Sequence, residues 1–247
     1  ENASATGQTG IRVNALEGKQ SLLLESYGSI NIEPGTTLRG DLRASATGDV
    51  MLRNGGDNRV SVRRDVDLTA GGRVEIEAGV QLLSNGGDIR LRGGGGGGSN
   101  TGVRINANTA AANYLRSTTV KTTGSGHITI VGAGGEASSS ANHGVWLGEK
   151  FTGFAHWVLL ETEAGDIAIT GNGGNWDADQ SVRWAQVMGV GIRSSTIRTT
   201  AGGDITITGI APTGHPAPAG TTYDDRDGVV LENGVIIRTA VNADSAL

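Results

Sequence analysis

One short segment recurs along the chain and limits what the chain can fold into. Gly202 to Gly209 reads Gly-Gly-Asp-Ile-Thr-Ile-Thr-Gly, and Gly86 to Gly93 reads Gly-Gly-Asp-Ile-Arg-Leu-Arg-Gly. Gly126 to Gly132 reads Gly-His-Ile-Thr-Ile-Val-Gly, and Gly165 to Gly171 reads Gly-Asp-Ile-Ala-Ile-Thr-Gly. Each copy is a turn signal, a short alternating strand and a second turn signal. Successive strand side chains point to opposite faces, so Ile205 and Ile207 share one face and Thr206 and Thr208 the other. Gly203 can take the positive φ of a sharp turn, and Asp204 can hydrogen-bond its own backbone there. A unit this small cannot bury its apolar face alone, so copies must stack on one another.

Composition agrees with stacked small units. Glycine accounts for 42 of 247 residues, more than twice the usual share. There is no Gly-X-Y period and only 4 prolines, which excludes collagen. Aromatic residues make up 4%, too few for an ordinary core of this length but enough for rungs filled with Val, Ile, Leu and Ala. A net charge of −5 gives no electrostatic reason to bind nucleic acid or an anionic membrane. The absence of cysteine excludes a disulfide framework and a thiolate metal site. No apolar run approaches the roughly 18 residues of a membrane span. Neither an initiator Met nor a signal peptide is visible, so the expectation is a processed product or a piece of something longer.

Strand starts of the type Gly-x-aliphatic-x-aliphatic, or one residue tighter, fall at Gly10, Gly28, Gly48, Gly72 and Gly87. Between them lie Leu22-Leu23-Leu24, Val60-Ser61-Val62, Val66-Asp67-Leu68 and Val80-Gln81-Leu82. No segment carries helical apolar spacing, and essentially no α-helix is predicted. From Gly87 onward the repeat lengthens: the starts at Gly87, Gly126, Gly165 and Gly203 are 39, 39 and 38 residues apart. Each is followed by a Gly-Val element, at Gly102, Gly144, Gly191 (after Val190) and Gly228. A third piece follows, mostly Thr-flanked: Ser117 to Thr122, the degenerate Val158 to Thr162, Ser195 to Thr199, and Val235 to Thr239. All starts from Gly10 to Gly228 average about 20 residues apart. The long repeat therefore reads as two rungs of that size, the rival being one rung with a long insertion.

These patterns predict an all-β chain, a right-handed parallel β-helix with about 20 residues per rung. Residues 1–247 form one solenoid, with a short-rung part over 10–86 and double-rung repeats over 87–239. Twelve such rungs would make a rod roughly 55–60 Å long. The expected inward positions are Ile89, Leu91, Ile128, Ile130, Ile167, Ile169, Ile205 and Ile207. The Gly-Asp-Ile-x-Ile-x-Gly and Gly-Val-x-Leu alternation resembles the β-helical shafts of filamentous-haemagglutinin-type adhesins and of glycine-rich bacterial surface proteins, over Gly10 to about Thr239. That resemblance implies a structural segment of an extracellular adhesin or surface fibre at the bacterial cell surface, with no reaction and no cofactor. Neither end shows an amphipathic helix as a cap, so both ends are expected to be covered by further rungs or by the opposite end of an identical molecule.

Candidate chemistry lies in the connections between strands. The glycine run Gly93 to Gly98 lacks the Lys-Ser or Lys-Thr of a phosphate loop and reads as a turn between rungs. Trp146, Phe151, Phe154, Trp157, Trp176, Trp184 and Tyr223 cluster in the second half, where exposed rings would suit stacking on sugars, contact with a partner, or loop packing. Asp177 and Asp179, and Asp224, Asp225 and Asp227, form two oxygen-rich loops that are weak candidates for Ca²⁺. His127, His143, His156 and His215 show no metal-ligand spacing. The alternative to a fibre segment is a β-helix that binds or cleaves polysaccharide, with convergent carboxylates and basic groups in one groove.

Overall fold

The computed structural model describes residues 3–7, 10–14, 16–55, 58–96, 101–107, 117–135, 142–148, 157–174, 184–211 and 223–240; at 3–7, 184–186 and 223–226 only the backbone is described. All regular structure among these residues is β-strand. The strands form three parallel sheets of eight, each ordered along the chain. One strand from each sheet makes a rung. The second rung, for example, is Leu22–Ser26, Ile30–Ile32 and Thr36–Leu38. The last is Ile205–Ile210, Tyr223–Glu232 and Ile236–Arg238. This is a parallel β-helix, as the alternating Gly-bounded strands predict. Eight rungs spaced about 4.8 Å apart place the first and last roughly 34 Å apart.

The register corrects the rung count. In the first sheet Leu22 lies beside Leu42, Leu42 beside Val66 and Val66 beside Ile89, steps of 20, 24 and 23 residues. Ile89 then lies beside Ile128, Ile128 beside Ile167 and Ile167 beside Ile205, steps of 39, 39 and 38. The long repeat is thus one rung with added chain, not two rungs. The extra residues fall between the first and second strands of the last four rungs, and between the second and third strands of the fifth and sixth. The third Gly-Val element is also shifted: Val190, not Ile192, lies beside Val145, so Gly189 is the equivalent of Gly144.

Glycines show why the added chain leaves where it does. One first-sheet column runs Gly7, Ser26, Ala46, Ala70, Gly93, Gly132, Gly171, Gly209. The second, third and fourth rungs have Ser or Ala there; the four rungs with added chain all have Gly. A Cβ on Gly93, Gly132, Gly171 or Gly209 would overlap the carbonyl oxygen of Gly102, Gly144, Gly189 or Gly228 respectively. The two ends of each insertion are therefore pinched together, backbone on backbone. That contact keeps the rung closed whatever the inserted chain does. The run after Gly93 begins this way: the amides of Gly94, Gly95 and Gly96 donate to carbonyls of Ala70, Gly72 and Gly71 in the rung before. It is the start of an insertion within a rung, and Gly97 and Gly98 lie outside the described residues.

The interior is an aliphatic column. Ile89, Leu91, Ile128, Ile130, Ile167 and Ile169 are fully buried, as their alternation predicts. Ile205 and Ile207 also face inward, but as members of the last rung they are only half covered.

The aspartate of the motif bonds along the rod rather than within its own turn. The amide of Asp65 donates to Asp41 Oδ1 (3.3 Å), that of Asp88 to Asp65 (3.0 Å), and that of His127 to Asp88 (2.9 Å). The amide of Asp166 donates to His127 Nδ1 (2.9 Å), and that of Asp204 to Asp166 Oδ1 (2.8 Å). Each side chain satisfies the amide of the next rung where the chain turns the corner and the sheet ladder is interrupted. Gly203, at φ +90°, does take the left-handed conformation expected of it.

Candidate functional site

Four places stand out: a covered cluster on the second sheet, an ion-pair column on the third, a polar trough on the early rungs, and the exposed face of the last rung. The cluster arises from the outward column of the second sheet: Arg12, Asn31, Met51, Glu75, Arg104, Trp146, Gly191 and Val230. Trp146 is 7% exposed although it points away from the core. His143 stacks on it with ring centroids 4.6 Å apart, and the Arg193 guanidinium lies 4.6 Å from its ring centre. Gly191 in the next rung leaves room for it, since a Cβ there would come within 2.7 Å of Trp146 Cε3. Arg193 pairs in turn with Glu232 (2.5 Å). Both faces of the outer layer here are occupied by protein, so Trp146 is not a free platform for a sugar ring.

The electrostatics of this cluster keep His143 neutral. The amide of Met188 donates to its Nδ1 (3.3 Å), which assigns the ring proton to Nε2. Burial, then the nearby charges of Arg193 and Arg104, lower its pKa from 6.5 to about 4. No aromatic stacking rule flags His143, because its role depends on Trp146, Met188 and Arg193 meeting across two rungs.

On the third sheet, Glu161 is the centre of an ion-pair column. Lys121 Nζ lies 2.6 Å from Oε1, and Arg198 Nε donates to Oε2 at 2.6 Å. Burial alone would raise the Glu161 carboxyl; the hydrogen bonds and charges of Lys121 and Arg198 outweigh it and hold the pKa below the usual range.

The trough, about 410 Å³, is lined by Arg12, Asn31, Glu33, Arg53, Asn54 and Glu77. Its charges are spent on each other. Arg12 pairs with Glu33 (2.9 Å), Arg53 with Glu77 (2.5 Å), and Arg53 Nε donates to Asn31 Oδ1 (2.8 Å). It is a polar surface with no pairing of nucleophile and base.

The remaining sequence candidates are dispersed. Trp157 is 41% exposed just before the strand Val158–Thr162. Trp184 and Tyr223 lie beside one another as strand neighbours. Phe151, Phe154, Trp176, Asp177 and Asp179 lie outside the described residues. Asp224, Asp225 and Asp227 belong to the strand Tyr223–Glu232 rather than to a loop, which corrects the loop reading, and Asp227 is exposed. Among the described residues no three His, Cys, Asp or Glu side chains come together as a metal site. No helix among them is long and apolar enough to cross a membrane. Comparisons with protein families, with curated proteins and with solved structures found no match for this chain.

Proposed function

We propose that this chain is a structural segment of an extracellular bacterial adhesin or surface fibre, a stretch of shaft whose last rung is continued by another rung. One observation carries the reading. The last rung presents core-type side chains to solvent: Val229 at 40%, Leu231 at 50% and Ile237 at 40% exposure, in the columns that are fully buried one rung earlier at Val190, Ile192 and Ile197. Ladder amides and carbonyls accompany them, and Asp204 has no following amide to accept among the described residues. An edge of this kind is a template for another strand. The side chains that meet on the outer faces pair with each other and stiffen the rod, which suits mechanical use.

The test is immuno-electron microscopy of cells that carry the protein, with antibodies raised against this chain. Labelling along surface fibres is expected. Labelling confined to the cell interior would refute the reading. A glycan array with a reducing-end assay on pectin- and alginate-type polymers addresses the competing class. Cleavage, or tight binding lost on Trp157→Ala, would replace the shaft by a carbohydrate-active β-helix.

A further inference from the structure

The chain carries the dipeptide Asn-Gly four times, at Asn54, Asn85, Asn172 and Asn233. Such a pair can modify itself, because a glycine amide is the least hindered backbone nucleophile next to the asparagine carboxamide. The fold treats the four differently. At Asn54 both reacting groups are tied: Nδ2 donates to the Ala78 carbonyl (2.7 Å), and the Gly55 amide donates to Asn58 Oδ1 (3.1 Å). At Asn172, the last residue of the strand Ile167–Asn172, the Gly173 amide donates to the Ile210 carbonyl (2.9 Å). At Asn233 the backbone is left-handed, φ +55°, and no donor among the described residues reaches the carboxamide.

Asn85 differs from all three. It is exposed, and the hydroxyl of Thr123 in the next rung donates to its Oδ1 (3.0 Å). The Gly86 amide has no acceptor among the described residues, and the space where a Gly86 side chain would stand is open. The flanking backbone is pinned, by the Asn85 amide on the Val62 carbonyl (2.9 Å) and by the Gly87 amide on Ser84 Oγ (3.1 Å). We propose that Asn85 is a self-deamidation site, with Thr123 as the positioning residue that polarises its carboxamide.

The Gly86 nitrogen attacks Asn85 Cγ, and negative charge gathers on Oδ1, where the Thr123 hydroxyl already points. The Cγ–Nδ2 bond breaks. Nδ2 leaves as ammonia, with the proton given up by the Gly86 amide and relayed by solvent. Water then adds to a carbonyl of the cyclic imide, and cleavage of that carbon's bond to the imide nitrogen leaves aspartate or isoaspartate at position 85. Water is consumed and ammonia released in equal amounts. The fold also supplies a partner for the product. Leu38 lies beside Val62 and Val62 beside Ser84, so Arg39, Arg63 and Asn85 follow one another at the corner before the first sheet. Arg63 is exposed and has no acidic partner among the described residues. The new carboxylate would arise one rung away from it, about 4.8 Å along the rod.

The experiment is peptide mapping by mass spectrometry of the whole chain, aged at mildly alkaline pH with the fold intact by circular dichroism, and in parallel in urea. Unfolded, the four sites should convert at similar rates. Folded, Asn85 should convert first, at least about tenfold faster than Asn54 or Asn172 and ahead of Asn233. This comparison needs no variant. Thr123→Val should slow Asn85 about three- to tenfold and leave Asn233 unchanged, and Thr123→Ser, which keeps the hydroxyl, should restore the rate. Conversion of folded Asn85 no faster than that of Asn54 would overturn the site. A rate that Thr123→Val leaves unchanged would overturn the role of Thr123.

Discussion

Acidification should loosen the layer over the second sheet through His143, and the size of the effect can be worked out. The ring is 5% exposed, accepts the Met188 amide at Nδ1, stacks on Trp146 and is close to Arg193 and Arg104. Protonation would turn the acceptor into a donor facing another donor and add a third cation. The folded-state pKa of about 4 lies below the value of 6.5 for the free side chain. Between these values the unfolded chain binds more protons than the folded one, so stability falls as pH falls. The loss starts near pH 6.5 and levels off below about pH 4. Linkage gives a loss of about 1 kcal/mol at pH 5.5 and about 3 kcal/mol at pH 4, relative to neutral pH. The assay is urea unfolding followed by tryptophan fluorescence at pH 7, 5.5 and 4, for the wild type and for His143→Asn. The asparagine carbonyl can accept the Met188 amide but does not titrate, so subtracting its pH profile isolates His143. Identical profiles for the two proteins, or an NMR titration placing His143 near 6.5, would refute the reasoning.

Three further outcomes follow from the packing. Gly171→Ala should destabilise by more than about 3 kcal/mol, because its Cβ would overlap the Gly189 carbonyl oxygen, whereas Ala70→Gly in the same column should cost only about 1 kcal/mol; thermal unfolding compares them, and equal losses would refute the pinch. Glu161→Ala leaves Lys121 and Arg198 facing each other and should cost about 1–3 kcal/mol at pH 7. Because the Glu161 pKa is lowered on folding, the wild-type advantage should be present above about pH 4.5 and shrink as pH falls through the folded-state pKa, read as converging urea midpoints. Ile169→Asp buries a charge in the aliphatic column and should cost several kcal/mol, while outward Thr170→Asp should cost less than about 1 kcal/mol; equal losses by circular dichroism melting would mean the faces are misassigned.

The errors of sequence reading have identifiable causes. The starts at Gly10, Gly28, Gly48 and Gly72 precede second-sheet strands, whereas Gly87, Gly126, Gly165 and Gly203 precede first-sheet strands. Turn chemistry is alike at both corners, so a count of starts changes face at Gly87 without any visible sign. The change from Ala70 to Gly93 at the strand end, with Gly102 ahead of the next strand, accompanies the added chain, but Gly7 and Gly10 stand at the same places in the first rung without it, so the pattern by itself does not mark the change. The candidate site was less legible. Trp146 looked like a ring available to a ligand, yet Gly191 of the following rung makes the space that buries it. The two are 45 residues apart, and only the register brings them together.

Local pattern alone determined the class of fold and the inward faces. Alternation with period two, Gly-bounded strands and a unit too small to fold singly leave stacking as the way to bury Ile89, Leu91 and their equivalents. Tertiary structure decided how many residues make a rung and which side chains meet across rungs, as Thr123 meets Asn85. Those are questions of register, and register depends on which backbone lies 4.8 Å away. Insertions change the distance along the chain between such neighbours without changing the distance in space.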